Sequence, residues 1–132
     1  MTGAAADAER GSPPPLPRGV PAGQLLLWWL GRRVRFVVRG DSMTPTLDDG
    51  DEVLVNPHAY ARRRPAVGDV VLVQHPFRSD VRALKRVADL RPAALWLLGD
   101  NPSGSTDSRS YGAVPDSKLL GRVERILPRG PS

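Results

Sequence analysis

The chain of 132 residues contains no cysteine. Disulfides, zinc–thiolate sites and cysteine nucleophiles are thereby excluded. Lysine is scarce: Lys85 and Lys118 stand against seventeen arginines. Histidine is limited to His58 and His75. Long apolar runs are missing too. The most apolar stretch, "LLLWWL" from Leu25 to Leu30, is far shorter than the about 20 residues a membrane-spanning helix needs. It has neither the basic flank nor the cleavage site of a signal peptide. It reads as one or two helical turns packed on the domain. The alternative is a shallow membrane foot, because paired tryptophans favour the interface.

The remaining composition points to one small domain with tails. Residues 1–19, "MTGAAADAERGSPPPLPRG", carry almost no large apolar side chain and cannot offset their ordering entropy, so disorder is expected there. Residues 128–132 read as a C-terminal tail. The folded domain is expected over residues 24–127. The net charge is +5, with its densest run in "ARRRP" around Arg62, Arg63 and Arg64. Basic charge suits nucleic acid or anionic membrane. No helix–turn–helix pattern or aromatic-and-basic strand accompanies this run, so a solvated loop is expected and nucleic acid is not an expected partner.

No long amphipathic helix is visible. Instead, short apolar runs alternate with Gly/Pro turns. Val34, Phe36 and Val38 alternate with Arg33, Arg35 and Arg39, the pattern of a half-buried strand. "EVLV", "VGDVVLVQH", "DVRALKRVA", "ALWLL" and "LLGRVERIL" supply five more strands. The expected fold is all-β, a small irregular barrel or sandwich with a short N-terminal helical segment.

Ser42 lies in "GDSMTPTLDDGD", where the first strand breaks into a polar turn. A hydroxyl needs a neighbouring base to become a nucleophile. Both histidines sit beside prolines at loop-like positions, and the serine lacks the G-x-S-x-G elbow. Lysine is the other possible base, because arginine cannot be deprotonated in a protein. Lys118 lies in a polar turn with no evident task. In "VRALKRVA" the strand period puts Val81, Ala83, Lys85 and Val87 on one face, with Arg82 and Arg86 toward water. Burial can lower a lysine pKa from about 10.4 to about 5–6, which makes a neutral general base. The strand alone leaves open a lysine that snorkels to the surface. "GDNPSGSTDSRSYGAVP", from Gly99 to Pro115, is rich in backbone-bonding side chains. Asp107 and Arg109 in it either pair to brace the loop or belong to an ordinary polar loop.

Taken in order, "GDSMTPTLDDGDEVLV", "VGDVVLV", "LKRV", "GDNPSGSTDSRSYGAVP" and "LLGRV" resemble the catalytic core of the type I signal peptidases, serine proteases with a serine–lysine dyad. The resemblance covers about Val34 to Val123. It implies Ser42 as nucleophile and its backbone N–H as an oxyanion donor. It implies Lys85 as general base, Ser105 as the hydroxyl that orients the amine, and Asp107 with Arg109 as a structural ion pair. It implies neither metal nor cofactor. The substrate would be a precursor protein bound as an extended peptide.

Two departures stand out. Many relatives carry a serine two residues before the nucleophile, where this chain has Gly40. Housekeeping members carry spanning helices and a large β domain inserted after the lysine; here thirteen residues separate Lys85 from Gly99. The short form resembles the maturation protease of nickel-type superoxide dismutase, which trims a leader from the dismutase precursor. Because no segment reads as spanning a bilayer, a cytoplasmic enzyme with at most weak peripheral membrane contact is expected. General processing of secretory precursors, a LexA-type self-cleaving regulator (Ala22–Gly23 being the dipeptide to cut) and a catalytically silent binding module are the alternatives.

Overall fold

The computed structural model describes residues 33–128. The N-terminal tail, the "LLLWWL" segment, Ala22–Gly23 and residues 129–132 lie outside the described residues. What is described is all-β, as expected. Seven strands form one antiparallel sheet in the order β1-β2-β7-β3-β4-β5-β6. They are β1 (Val34–Val37), β2 (Glu52–Asn56), β3 (Val70–His75), β4 (Arg78–Arg91), β5 (Ala94–Leu98), β6 (Val114–Pro115) and β7 (Leu119–Ile126). A one-turn helix, α1 (Ser108–Tyr111), precedes β6.

Both faces of the sheet are covered. Val70 and Leu72 of β3 join Leu84, Val53, Val55, Val123 and Ile126 on one side, with Met43 and Leu47 of the serine turn packed against them. Val71 and Val73 join Val87, Leu95, Leu97 and Val114 on the other. Consecutive β3 side chains point to opposite faces, so this unbroken apolar strand needs two cores.

The same fact corrects the reading of β4. Arg82 is exposed, but Arg86 is not directed to water. Its side chain is only 12% exposed and pairs with Asp100. Leu84 interrupts the expected split because its own face is also a core. Two strand lengths differ as well. β1 is shorter than the alternation suggested, because the chain turns at Gly40, whose φ is +82°. β4 extends to fourteen residues and meets β5 through a tight turn at Pro92 and Ala93.

Pairing along β4 is uneven. β3 covers Arg78 to Arg86 on one side. On the other side β5 pairs only from Arg86 onward, because Arg86 faces Leu98, the last residue of β5. The β5-side edge of β4 before Arg86 is therefore without a strand partner among the described residues. There the curled sheet brings β1 near: the Arg82 guanidinium lies 6.0 Å from the Phe36 ring.

Candidate active site

Three segments meet beside that edge. The first is the turn carrying Ser42. Asp49 Oδ1 accepts the Gly40 N–H at 2.8 Å, and Met43 and Leu47 anchor the turn in the core. The Ser42 N–H donates to no group among the described residues, whereas the Ser42 carbonyl accepts the Asn101 N–H at 2.9 Å. The Asn101 amide also donates to the Asp41 carbonyl at 3.1 Å. The turn is thus clamped to the loop following β5. A pocket of about 90 Å³ opens beside Ser42, lined by Phe36, Val38, Met43, Ala83 and Leu84, with Arg39 and Arg82 at its rim.

The second segment is the middle of β4. Lys85 stands opposite Val71 and shares its face with the second core. It is 4% exposed. Its amine has no hydrogen-bond partner among the described residues, and no hydrogen bond joins it to Ser42 there. Burial pushes the Lys85 ammonium below the ordinary lysine range; the Asp107 carboxylate opposes the shift and the Arg109 guanidinium adds to it.

The third segment runs from Gly99 through α1. Asp107 is 1% exposed and caps α1. Its Oδ2 accepts the Gly99 N–H at 2.9 Å, the Ser105 hydroxyl at 3.0 Å and an Arg109 N–H at 2.6 Å. Its Oδ1 accepts the Arg109 backbone N–H at 3.1 Å and the Arg109 Nε–H at 3.0 Å. Burial works against its ionisation, but the hydrogen bonds from Arg109, Gly99 and Ser105 prevail and hold the carboxyl well below the usual carboxylate range. Gly99 is where the serine turn meets the third segment. A Cβ there would overlap Ser105 and come within 2.7 Å of the Ser42 carbonyl oxygen. Ser42 and Ser105 therefore approach one spot at Gly99, just after β5, while Asp107 links Ser105 to the electrostatic surroundings of Lys85.

A second support, not expected from the strand pattern, stands beside this site. Arg86 makes two bonds to Asp100, 3.0 Å from Nε to Oδ1 and 2.9 Å to Oδ2, and a third to the Gly68 carbonyl at 2.8 Å. The Thr46 hydroxyl donates to Asp100 Oδ2 at 2.6 Å. The strand of Lys85, the loop after β5 and the turn of Ser42 are tied through this one carboxylate. The cue lay in the sequence: Arg86 follows Lys85, and Asp100 follows Gly99. The strand period alone makes the Arg86 face an outer one, which is why it points the side chain to solvent. The histidines have other contacts. His75 packs edge-on against Tyr111, with ring centroids 5.1 Å apart, and His58 lies in the exposed turn after β2.

Comparison with known proteins accords with this arrangement. The family described as "Signal peptidase, peptidase S26" matches residues 20–92 and 88–127.

The chain belongs to the signal peptidase family.

Its relatives include the mitochondrial inner membrane protease subunit 1 of Xenopus tropicalis, 33% identical over 110 residues. That alignment covers 66% of this chain and 64% of the frog protein. The subunit of the same name from Schizosaccharomyces pombe is 32% identical, covering 67% of this chain and 70% of its own. Signal peptidase I of Pseudomonas fluorescens is 33% identical over 106 residues, which are 70% of this chain and 35% of that protein. This signal peptidase family member thus matches under two thirds of the frog subunit and about a third of the bacterial enzyme. Among the described residues no helix is long and apolar enough to cross a membrane, and no cluster of His, Asp and Glu suits a metal ion.

Proposed function

We propose that this protein is a serine endopeptidase that removes an N-terminal leader from a precursor protein, with Ser42 as nucleophile and Lys85 as general base. The observation that carries this reading is the burial of Lys85, with its lowered proton affinity, on the strand that borders the Ser42 pocket. A buried ammonium without a bonded partner is costly, so the neutral amine is favoured. It takes the Ser42 proton as Oγ attacks the scissile carbonyl carbon. The Ser42 N–H, which donates to no other group among the described residues, serves the resulting oxyanion. Gly40 brings no hydroxyl, and its N–H is engaged by Asp49. The Lys85 ammonium then returns its proton to the leaving amine, and the C–N bond breaks to give an acyl-Ser42 ester. Water, deprotonated by Lys85, hydrolyses the ester and frees the leader.

The unpaired edge of β4 supports an extended substrate, since a strand can add its backbone there. The small apolar pocket beside Ser42 suits a small side chain just before the scissile bond. Asp107 and Arg109 set the electrostatics around the base, and Ser105 is anchored beside it by its bond to Asp107.

The finer substrate reading is the nickel-type superoxide dismutase precursor, with the enzyme acting in the cytoplasm. The tight β4–β5 turn supports it, since a large β domain is inserted after the lysine in housekeeping members. Processing of precursors at a membrane is a second reading, favoured by relatives named as inner membrane proteases. The test is incubation of purified enzyme with the dismutase precursor and, separately, with secretory precursors, followed by N-terminal sequencing. Cleavage of the dismutase leader supports the first reading; cleavage of secretory precursors alone supports the second. No cleavage of either, and no labelling of Ser42 by a serine-acylating inhibitor, sinks the peptidase proposal.

A further inference from the structure

A pocket of about 450 Å³ lies away from Ser42. Its walls include Arg62 and Arg63 from the loop after β2, and Leu119 and Leu120 of β7. Pro57, Tyr60 and Pro65 complete the apolar part. The expectation of a solvated arginine run holds for only part of "ARRRP". Arg64 is a staple: it bonds both Asp116 oxygens at 2.8 and 2.9 Å, the Arg91 carbonyl at 2.8 Å and the Ala94 carbonyl at 2.9 Å. Those anchors lie at the closed end of the β4–β5 hairpin, whose open end carries Lys85 and Gly99. Five or six strand residues separate the two ends, roughly 15–20 Å at about 3.3 Å per residue.

The staple fixes the loop and leaves its neighbours on display. Arg62 and Arg63 are exposed and have no carboxylate partner among the described residues. The one carboxylate lining the pocket, Asp116, is held by Arg64. Tyr60 is committed as well, donating its hydroxyl to Asp69 at 2.7 Å. Two guanidiniums on one apolar-walled pocket offer more donors than a single carboxylate can accept, whereas a phosphate has the oxygens to use them. Leu119, Leu120 and the prolines provide contact for an apolar body joined to that phosphate.

We infer that this pocket binds the headgroup of an anionic phospholipid, with the phosphate held by Arg62 and Arg63, and so seats the domain on a membrane surface. The site is independent of the peptidase reading, since none of its lining residues belongs to the Ser42 site.

The experiment uses the full chain and sedimentation with vesicles of phosphatidylcholine alone or mixed with phosphatidylglycerol. The readout is the gain in partitioning that the anionic lipid confers, which sets aside any apolar contact from elsewhere in the chain. Arg62→Gln with Arg63→Gln is compared with Arg35→Gln plus Arg91→Gln, which removes equal charge outside the pocket. At about 1 kcal/mol per arginine near an anionic surface, the pocket double variant should lose about 30-fold of the gain. The control should lose less than about threefold, and soluble-peptide cleavage should be unchanged in both. Equal losses in the two double variants would show general charge attraction and overturn the site. So would a pocket variant that binds like the parent chain. A third arm adds soluble glycerol phosphate. Failure of millimolar glycerol phosphate to displace the chain supports a membrane-borne headgroup, and full displacement would assign the pocket to free phosphate esters instead.

Discussion

The Ser105 hydroxyl donates to Asp107 Oδ2 at 3.0 Å. A hydroxyl has one proton to give and two lone pairs to offer. With its proton committed to Asp107, Ser105 can meet the Lys85 amine only as an acceptor. On the proposed mechanism, an amine N–H that turns to Ser105 when substrate binds leaves the nitrogen lone pair free for Ser42. Ser105→Ala is expected to lower kcat by about 10–100-fold, in the range of other groups that orient a reacting residue. KM should change little, because Ser105 does not line the pocket beside Ser42. Steady-state kinetics on a leader peptide separates the two parameters. A large rise in KM with unchanged kcat would make Ser105 a binding residue.

Lys85→Arg tests the base directly. Arginine keeps the positive charge and most of the length but cannot give up its proton. Cleavage should fall to background, and Ser42→Ala should do the same. Circular dichroism should show the sheet intact in both variants. Near-full activity in Lys85→Arg would require another base.

Arg109 should tune the pH profile. Its guanidinium lowers the proton affinity of Lys85 and also neutralises Asp107, whose charge acts in the opposite direction. Arg109→Met removes both effects, so the rising limb of kcat/KM against pH should move to higher pH. The shift will be modest, since the Arg109 side chain is 44% exposed and water screens it. A limb that moves to lower pH would contradict the proposed electrostatics.

The same burial has a consequence for stability. Folded Lys85 holds its proton less tightly than the unfolded chain does, with an ordinary value of 10.5. Between the folded and the unfolded pKa the unfolded state carries more protons, so stability rises with pH across that window. Below the folded value the cost of the buried charge is fully present. Lys85→Met should therefore stabilise the protein at neutral pH and flatten this part of the profile, as read from urea midpoints between pH 6 and 10. Asp107 acts in the opposite sense. Its carboxyl is depressed below 3.8, so the stability it contributes is present above that value and is lost as pH falls below it.

Asp100→Ala should destabilise the fold and lower activity together. The substitution removes the carboxylate that joins Arg86 and Thr46. Breaking a buried ion pair from one side costs about 3–5 kcal/mol. Arg86 keeps its bond to the Gly68 carbonyl, so a value near the low end is expected, measured by denaturant unfolding. Thr46→Val should cost about 1 kcal/mol, the usual contribution of one hydrogen bond.

Local pattern determined much of this protein. Period-two alternation and Gly/Pro punctuation are properties of short segments, so the all-β class was legible and "ALWLL" matches β5 residue for residue. The likeness of "GDSM", "LKRV" and "GDN…DSR" to the signal peptidases is equally local. The strand period set Lys85 among apolar neighbours, and the fold decided that it stays buried there and does not snorkel to the surface. Tertiary structure decided what depends on chain segments far apart. Only the assembled sheet shows that β4 has a core on each face, which turns Arg86 from a solvent-facing arginine into the partner of Asp100. Only the end of β5 at Leu98 leaves the edge of β4 open beside Ser42. Likewise Arg64 leaves its two neighbours on display because Asp116, fifty-two residues later, returns to meet it. Partners this distant are chosen by packing, and no local periodicity encodes which ones meet.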